Sequence, residues 1–362
     1  MMHRAGFRTL KTTMAHLQTR SLSSAASGSQ PRHLMSIGDL TPAEFTRLVL
    51  NASSHKKAVK DAFAAGQTPP KPLHGAMTGK TVAMMFSKRS TRTRVSTEAA
   101  VQLMGGHPMF LGKDDIQLGV NESLHDTSVV ISSMTSCMVA RVGPHSDVTG
   151  LAASSSVPVI NALSSDFHPL QTIADFQTIH ESLSSTPSSS SLGLEGLKIA
   201  WVGDSNNVLF DLAIASVKMG VHISVASPTG YGIPPNIKSI ILSAAQGVPN
   251  PGTLTETTIP EEAIKDADIL VTDTWVSMGQ EEEAKKRLEA FRGYQITHEL
   301  AKRGGAKPNW KFMHCLPRHP EEVDDAVFYD ESRSLVFPEA ENRLWAAVAA
   351  LEAFVVNKGK IL

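Results

Sequence analysis

Short apolar runs alternate along this chain with stretches whose apolar residues recur every three or four positions. Thr41 and Pro42 open a predicted helix over 41–65, with an N-cap, a proline at N1, and Phe45, Leu48, Val49 and Leu50 as its apolar side. TVAMMFS at 81–87 predicts a buried strand, and 92–104 a helix with Val95, Ala99, Leu103 and Met104 on one face. Over 122–139 the helical period continues through Leu124, Ile131, Met134 and Met138, and it places Cys137 on an apolar helix face. A strand is expected at 157–161, followed by a helix in FHPLQTIADFQTIHE. SLSSTPSSSS at 182–191 is too serine-rich to pack and predicts an exposed loop.

Beyond that loop the pattern restarts. LKIAWVG (197–203) predicts a strand and the residues after it a helix; VHISVAS (221–227) predicts a second strand and 235–246 a second helix. IPEEAIKDADILVTDTW gives a helix and a third strand at 268–272, KFMHCLP (311–317) a fourth, and ENRLWAAVAALEAFVV a long C-terminal helix. Apolar strands alternating with helices mean parallel sheets covered on both faces. The expectation is an α/β protein of two doubly wound domains, each with a central parallel sheet, joined by interdomain helices. The ligand cleft should lie at the carboxyl ends of the strands.

Composition narrows the class. The chain has 362 residues, 41% of them hydrophobic and 19% charged, which are globular values. Two cysteines, Cys137 and Cys315, cannot form a disulfide framework or a four-cysteine zinc site. A formal charge of -1 argues against a nucleic-acid binder, and no apolar run approaches the roughly 18 residues of a membrane span. Residues 1–38 differ from the rest. They hold Arg4, Arg8, Lys11, Arg20 and Arg32, many serines and no acid, the composition of a mitochondrial transit peptide. Without them 29 basic residues face 35 acidic ones, a net -6. The expected division is 1–35 as leader, 36–180 and 193–340 as the two domains, 181–192 as the serine-rich loop and 341–362 as the closing helix.

The most informative segment is KRSTRTR, Lys88 to Arg94, between a buried strand and a helix start. Ser90 or Thr91 would cap that helix, but capping does not explain the cations. A helix N-terminus is already partly positive, so Lys88, Arg89, Arg92 and Arg94 are unfavourable there unless an anion binds. A guanidinium, hydroxyls and free N–H groups make a phosphate cradle. With no glycine-rich P-loop, a nucleoside triphosphate is not implied. WVGDSNNV invites comparison with a dinucleotide fingerprint, but it has one glycine, Gly203, where G-x-G-x-x-G is needed. Asn206 and Asn207 suit either helix capping or polar contacts to a small ligand. Asp273, at a strand end beside TWVSMGQ, suits a cationic amine or a solvated cap. His314 and Cys315 end another strand. There the thiol could be inert packing or part of a thiol hydrolase, for which no third member is placed.

STRTR, HPLQ, DTWVSMGQEEE, HCLPR and FPEAENR occur in order at strand and helix ends. Together they resemble the ornithine carbamoyltransferase family over nearly everything after about residue 35. The resemblance implies a carbamoyl phosphate domain followed by an ornithine domain, assembled as a homotrimer with active sites shared between subunits. It implies the formation of citrulline and phosphate from carbamoyl phosphate and L-ornithine, in arginine biosynthesis or the urea cycle, in the mitochondrial matrix. Carried over by position, Ser90, Thr91, Arg92 and Thr93 match the phosphate motif. Arg141, His168 and Gln171 match residues holding the carbamoyl group. Gln117 matches a position reaching carbamoyl phosphate from a neighbouring subunit. Asn207, Asp273, Ser277 and Met278 match ornithine contacts. Cys315 and Leu316 match the catalytic cysteine and its neighbour, and Arg343 a further carbamoyl phosphate contact. Arg141, His168, Asp273 and Cys315 are then the catalytic set. No metal or organic cofactor is expected, nor nucleic acid or membrane insertion. The alternatives are a sister transcarbamylase with another amine substrate, or a homologue that binds without catalysing. An aspartate-specific site would need cations where DTWVSMGQ presents an acid.

Overall fold

In the computed structural model, which describes residues 30–71, 73–116, 122–184, 191–276 and 281–362, helices and strands alternate through two halves. The first runs α1 (Pro42–Ala64), β1 (Thr81–Phe86), α2 (Arg92–Leu103), β2 (His107–Gly112), α3 (Leu124–Met134), β3 (Cys137–Arg141), α4 (His145–Ser154) and β4 (Val159–Leu163). Its strands pair in parallel in the order β2-β1-β3-β4. Helix α5 (Pro169–Leu183) leads to β5 (Lys198–Val202), α6 (Asn207–Lys218), β6 (His222–Ala226), α7 (Pro235–Ala244), β7 (Leu254–Thr257), α8 (Pro260–Ile264) and β8 (Ile269–Thr272). The chain then forms α9 (Ala284–Ala290), α10 (His298–Gly304), β9 (Lys311–His314) and α11 (Asp325–Phe328). This second sheet is also parallel, in the order β7-β6-β5-β8-β9. Helix α12 (Val336–Leu351) returns to pack on α5, α2 and α1, so one apolar core runs from Leu34 through Phe176 and Trp201 to Phe354.

Both sheets reverse strand order at a definite point, between β1 and β3 in the first and between β5 and β8 in the second. Clefts form at such points, outside the carboxyl ends of the strands. The loops after β1, β8 and β9 carry Ser90, Thr91, Asp273, Cys315 and Leu316, while Arg92, Thr93, Gln171, Asn207 and Arg343 stand on helices, Arg141 ends β3 and His168 precedes α5.

The α/β pattern holds in outline, with local corrections. The helical period expected through 139 stops at Met134, and Cys137–Arg141 is a strand instead, paired with β1 at Val82↔Cys137. A short, fully buried parallel strand has no polar side, so its period cannot be told from that of a buried helix. Cys137 is therefore core, as expected, but on a strand. Met134, assigned to the buried stripe, is 70% exposed. On α2 the expected face holds only at its end, where Met104 is buried and Leu103 packs on the core. Val95 is 61% exposed, while Thr93, Ser96, Thr97, Ala100 and Val101 point inward against α12. Strands β2 and β7 are not among those expected; both are sheet edges with little burial, LTET has no apolar run, and that of HPMFLG is only Met109–Leu111 between Pro108 and Gly112.

Residues 32–35, which the expected division gives to the leader, are tied into the fold. Leu34 is fully buried and lies beside β4, donating to Val159 O at 3.0 Å and accepting from Asn161 N at 2.8 Å. Arg32 binds both carboxylate oxygens of Glu44, at 2.6 and 3.0 Å. The following turn is fixed to α6. Buried Asp211 accepts from Ser36 Oγ and Ile37 N, each at 2.8 Å, and Lys218 Nζ donates to the carbonyls of Ile37, Gly38 and Leu40. Residues 1–29 lie outside the described residues, as do 185–190 of the serine-rich loop, whose expected first residues instead close α5.

Candidate active site

The phosphate end of the site is built on the loop from β1 to α2. Thr91 stands at the N-cap of α2 with helical dihedrals and makes no side-chain capping bond, so the expected cap is not formed. Among the described residues the hydroxyls of Ser90 and Thr91 have no hydrogen-bond partner, and no acid stands in the first turn. The expected crowd of cations sorts itself out. Arg94 turns outward to Glu98 at 2.9 Å and lies over the Phe110 ring at 3.7 Å, leaving Arg92 directed inward, donating to Leu316 O. Arg141 ends β3 opposite Phe86, at a register shift between β3 and β4 that turns the end of the strand. It is buried, and among the described residues its guanidinium has no acceptor, with Nε fully enclosed.

The inner wall comes from α5 and α12. His168 is the N-cap of α5; its N–H is held by Asp211 Oδ2 at 2.8 Å, while its Nδ1 is buried without a partner. Burial, then the fields of Arg343, Arg141 and Arg92, hold this imidazole well below its ordinary pKa, so it is neutral. Arg343 donates to Gln171 Oε1 at 2.6 Å and to Thr93 Oγ1 at 3.3 Å, with its Nε unpartnered. The Gln171 amide donates in turn to Asp175 at 2.8 Å and Glu339 at 2.9 Å. Burial pushes both acids up, Asp175 to about 7, and each charge disfavours the other. Gln171 thus spends both its N–H groups on the acids and orients Arg343.

The opposite wall comes from the second sheet. Thr272 pairs with His314, which puts Asp273 beside Cys315, and the thiol donates to Asp273 Oδ1 at 3.0 Å. Asn206 Nδ2 donates to Asp273 Oδ2 at 2.8 Å while its own oxygen caps α6. Of the two asparagines, then, Asn206 reaches Asp273; Asn207 directs its Nδ2 to Ser164 O at 2.6 Å. Burial and the Asp273 charge drive the Cys315 pKa well up, so it is a neutral thiol rather than a thiolate nucleophile. Gly203, the lone glycine of the rejected fingerprint, has φ +148°, and a Cβ there would come within 2.8 Å of Thr272 Oγ1 and 2.9 Å of Trp275 Nε1. It serves close packing of β5 on β8.

The structure therefore brings Ser90, Thr91, Arg92, Thr93, Arg141, His168, Gln171, Asp273, Cys315, Leu316 and Arg343 to one cleft. Gln117, Ser277 and Met278 lie outside the described residues. Asp175 and Glu339 belong to the same cluster and were not singled out, while Asn206, weighed as a cap or a ligand contact, both caps α6 and bonds Asp273. Inside ADF and PEAENR the acids are indistinguishable by pattern from solvated helix charges.

Cations with unmet hydrogen-bonding capacity face a carboxylate–thiol pair across one cleft, an arrangement with the chemistry to join an anionic donor to an amine. Residues 32–181 match the family model described as aspartate/ornithine carbamoyltransferase, carbamoyl-P binding domain, and residues 195–354 match the Asp/Orn binding domain of the same family. The chain belongs to the aspartate/ornithine carbamoyltransferase family. It is 72% identical over 338 residues to "Ornithine carbamoyltransferase, mitochondrial" of Coccidioides immitis, covering 92% of this chain and 95% of that one. It is 52% identical over 355 residues to "Ornithine transcarbamylase, mitochondrial" of Pachysolen tannophilus, covering 98% and 97%. The solved structure of a mitochondrial ornithine carbamoyltransferase from C. immitis superposes with a TM-score of 0.85 at 70% identity, covering 92% of this chain and all of that one. That from Pyrococcus furiosus gives 0.79 at 40%, covering 90% and 97%.

Proposed function

We propose that the chain transfers the carbamoyl group of carbamoyl phosphate to the δ-amine of L-ornithine in the mitochondrial matrix, giving L-citrulline and phosphate. The observation that carries this is the set of three inward guanidiniums, Arg92, Arg141 and Arg343, facing Asp273 and Cys315 with no acid, among the described residues, within hydrogen-bonding distance of them. Phosphate sits against the N-terminus of α2, with Ser90, Thr91, Thr93 and Arg92 as donors. Arg141 and neutral His168 take the carbonyl oxygen, where charge grows as the amine nitrogen attacks the carbamoyl carbon. Preorganised donors of this kind contribute roughly 3–4 kcal/mol each.

A free alkyl ammonium has a pKa near 10, so the attacking amine must lose a proton. Asp273 and Cys315 hold the amine, and the Asp273 carboxylate accepts that proton. The new C–N bond forms as the C–O bond to phosphate breaks; phosphate leaves with the electron pair, held by Arg92, and takes up the second proton that the nitrogen sheds. Cys315 forms no covalent intermediate. Asn207, Ser277 and Met278 complete the ornithine pocket, Leu316 lies against the carbamoyl group, and Gln117 reaches the site of a neighbouring subunit in a homotrimer. Purified protein given carbamoyl phosphate should form citrulline with ornithine and no carbamoylated product with aspartate or putrescine. Product from aspartate, or none from ornithine, overturns the reading.

A further inference from the structure

Resting on that reading and going beyond it, we propose that Glu322 is a positioning residue for the transfer. Through His314 it fixes the backbone at Leu316, and through the Trp275 N–H it fixes the strand end that carries Asp273. Glu322 touches neither substrate. It lies in the loop after HCLP, with its side chain 1% exposed. Its Oε2 accepts from His314 Nε2 at 3.0 Å and His319 N at 2.8 Å, and its Oε1 from Trp275 N at 3.1 Å and His319 Nδ1 at 2.9 Å. A carboxylate has about four acceptor positions, so all are filled by donors and none is left for a proton. Burial pushes its pKa up, yet the donors from His314 and His319 outweigh that and hold it below the ordinary value.

The direction of these bonds is what matters. His314 is fully buried, and its Nδ1 accepts from Leu316 N at 2.9 Å. Its Nε2 must therefore carry the proton, and the bond to Glu322 selects that tautomer. Leu316 has φ +63°, a left-handed conformation disfavoured for any residue but glycine, and its carbonyl is the acceptor for Arg92. Its N–H is thus held through His314 and its oxygen by the phosphate-end arginine, with Cys315 immediately before it. On the other side Trp275 stands two residues after Asp273. Its N–H is held by Glu322, its carbonyl by Arg287 Nε, and its ring stacks on Phe291 at 5.1 Å. One buried carboxylate thereby sets the spacing between the end of β8 and the end of β9, where the two substrates meet.

The test uses the full-length protein in its native assembly. Glu322→Gln keeps the shape but turns one acceptor into a donor facing N–H groups. Citrulline turnover should fall roughly 10-fold or more, as misplacement at a reacting centre does, while calorimetric carbamoyl phosphate affinity changes by less than about threefold. Nitrogen-15 spectra should show His314 as the Nε2–H tautomer in the wild type and no longer so in the variant. Glu322→Asp, which restores the charge on a shorter arm, should regain the tautomer and part of the turnover. Wild-type turnover in Glu322→Gln, or a loss that follows only the folded fraction, overturns the proposal. So does an Nδ1–H tautomer in the wild type, which decides the matter even where Glu322→Gln fails to fold. Absence of citrulline formation by the wild type would count against the transferase reading instead.

Discussion

Asp273 and Arg92 sit at opposite ends of the cleft, and their substitutions should separate. Asp273→Asn keeps the shape but removes the counter-ion and proton acceptor, and its amide nitrogen would face the donors of Asn206 or Cys315. Turnover with ornithine should fall roughly 10²-fold or more, typical of a lost acid–base group, while calorimetry still detects carbamoyl phosphate binding. A variant that turns over normally contradicts the role given to Asp273. Arg92→Leu should do the reverse, weakening carbamoyl phosphate binding by at least about 2 kcal/mol, within the range for charged hydrogen bonds. It also removes the bond to Leu316 O, so ligand-free stability should drop slightly. An unchanged Michaelis constant for carbamoyl phosphate rules against the phosphate cradle. At this scale the sequence was legible where a residue's chemistry was out of place, as with arginines at a helix N-terminus. It was illegible where topology supplies the partner. Nothing in HPEEV says that Glu322 meets Trp275, 47 positions earlier in the chain.

Helices α5 and α6 meet at Asp211, which holds His168 N and the turn at Ser36 and Ile37 together. Burial pushes this carboxyl up to about 7, well above the ordinary value near 4. The folded protein therefore keeps a proton there that the unfolded chain gives up. The associated stabilisation is fully present below about pH 4 and is lost as pH rises through about 7. In Asp211→Asn that contribution is absent. The gap in denaturation midpoint between wild type and variant should be widest near pH 4.5 and narrow towards pH 7.5; a constant gap means the carboxyl is ionised throughout. Elements were read more surely than their faces. The boundaries of α1 and β1 fell within a residue or two of those expected, because a cap, a proline and a buried run mark them locally. The side of α2 that faces in is decided by α12, which meets it from more than 200 residues away, and hydroxyls fill that contact where apolar side chains were expected.

Across the whole molecule, α3 shows Val129, Val130 and Met134 to solvent at 44%, 47% and 70%, a cost a lone chain would not ordinarily bear. In the homotrimer reading such apolar side chains are covered. Sedimentation should find the wild type as a trimer and the double variant Val130→Glu, Met134→Glu as a monomer of reduced activity; a monomeric, fully active wild type excludes a shared site. Two α/β halves were legible from the restart of the pattern after the serine-rich loop, whereas the packing of α1, α5 and α12 across them was not, since α5 and α12 are buried along most of their length and show no single inward face. The N-terminal segment carries a last consequence. Residues 32–35 have the basic, acid-free composition of a leader, yet they lie along β4 and clasp Glu44. If the segment before them is removed as a leader, a cut upstream of Arg32 leaves these ties intact. A cut a few residues further on would bare one edge of the first sheet and take away the ties that bring Asp211, and through it His168, to the mouth of the cleft, so folding itself sets the limit of processing.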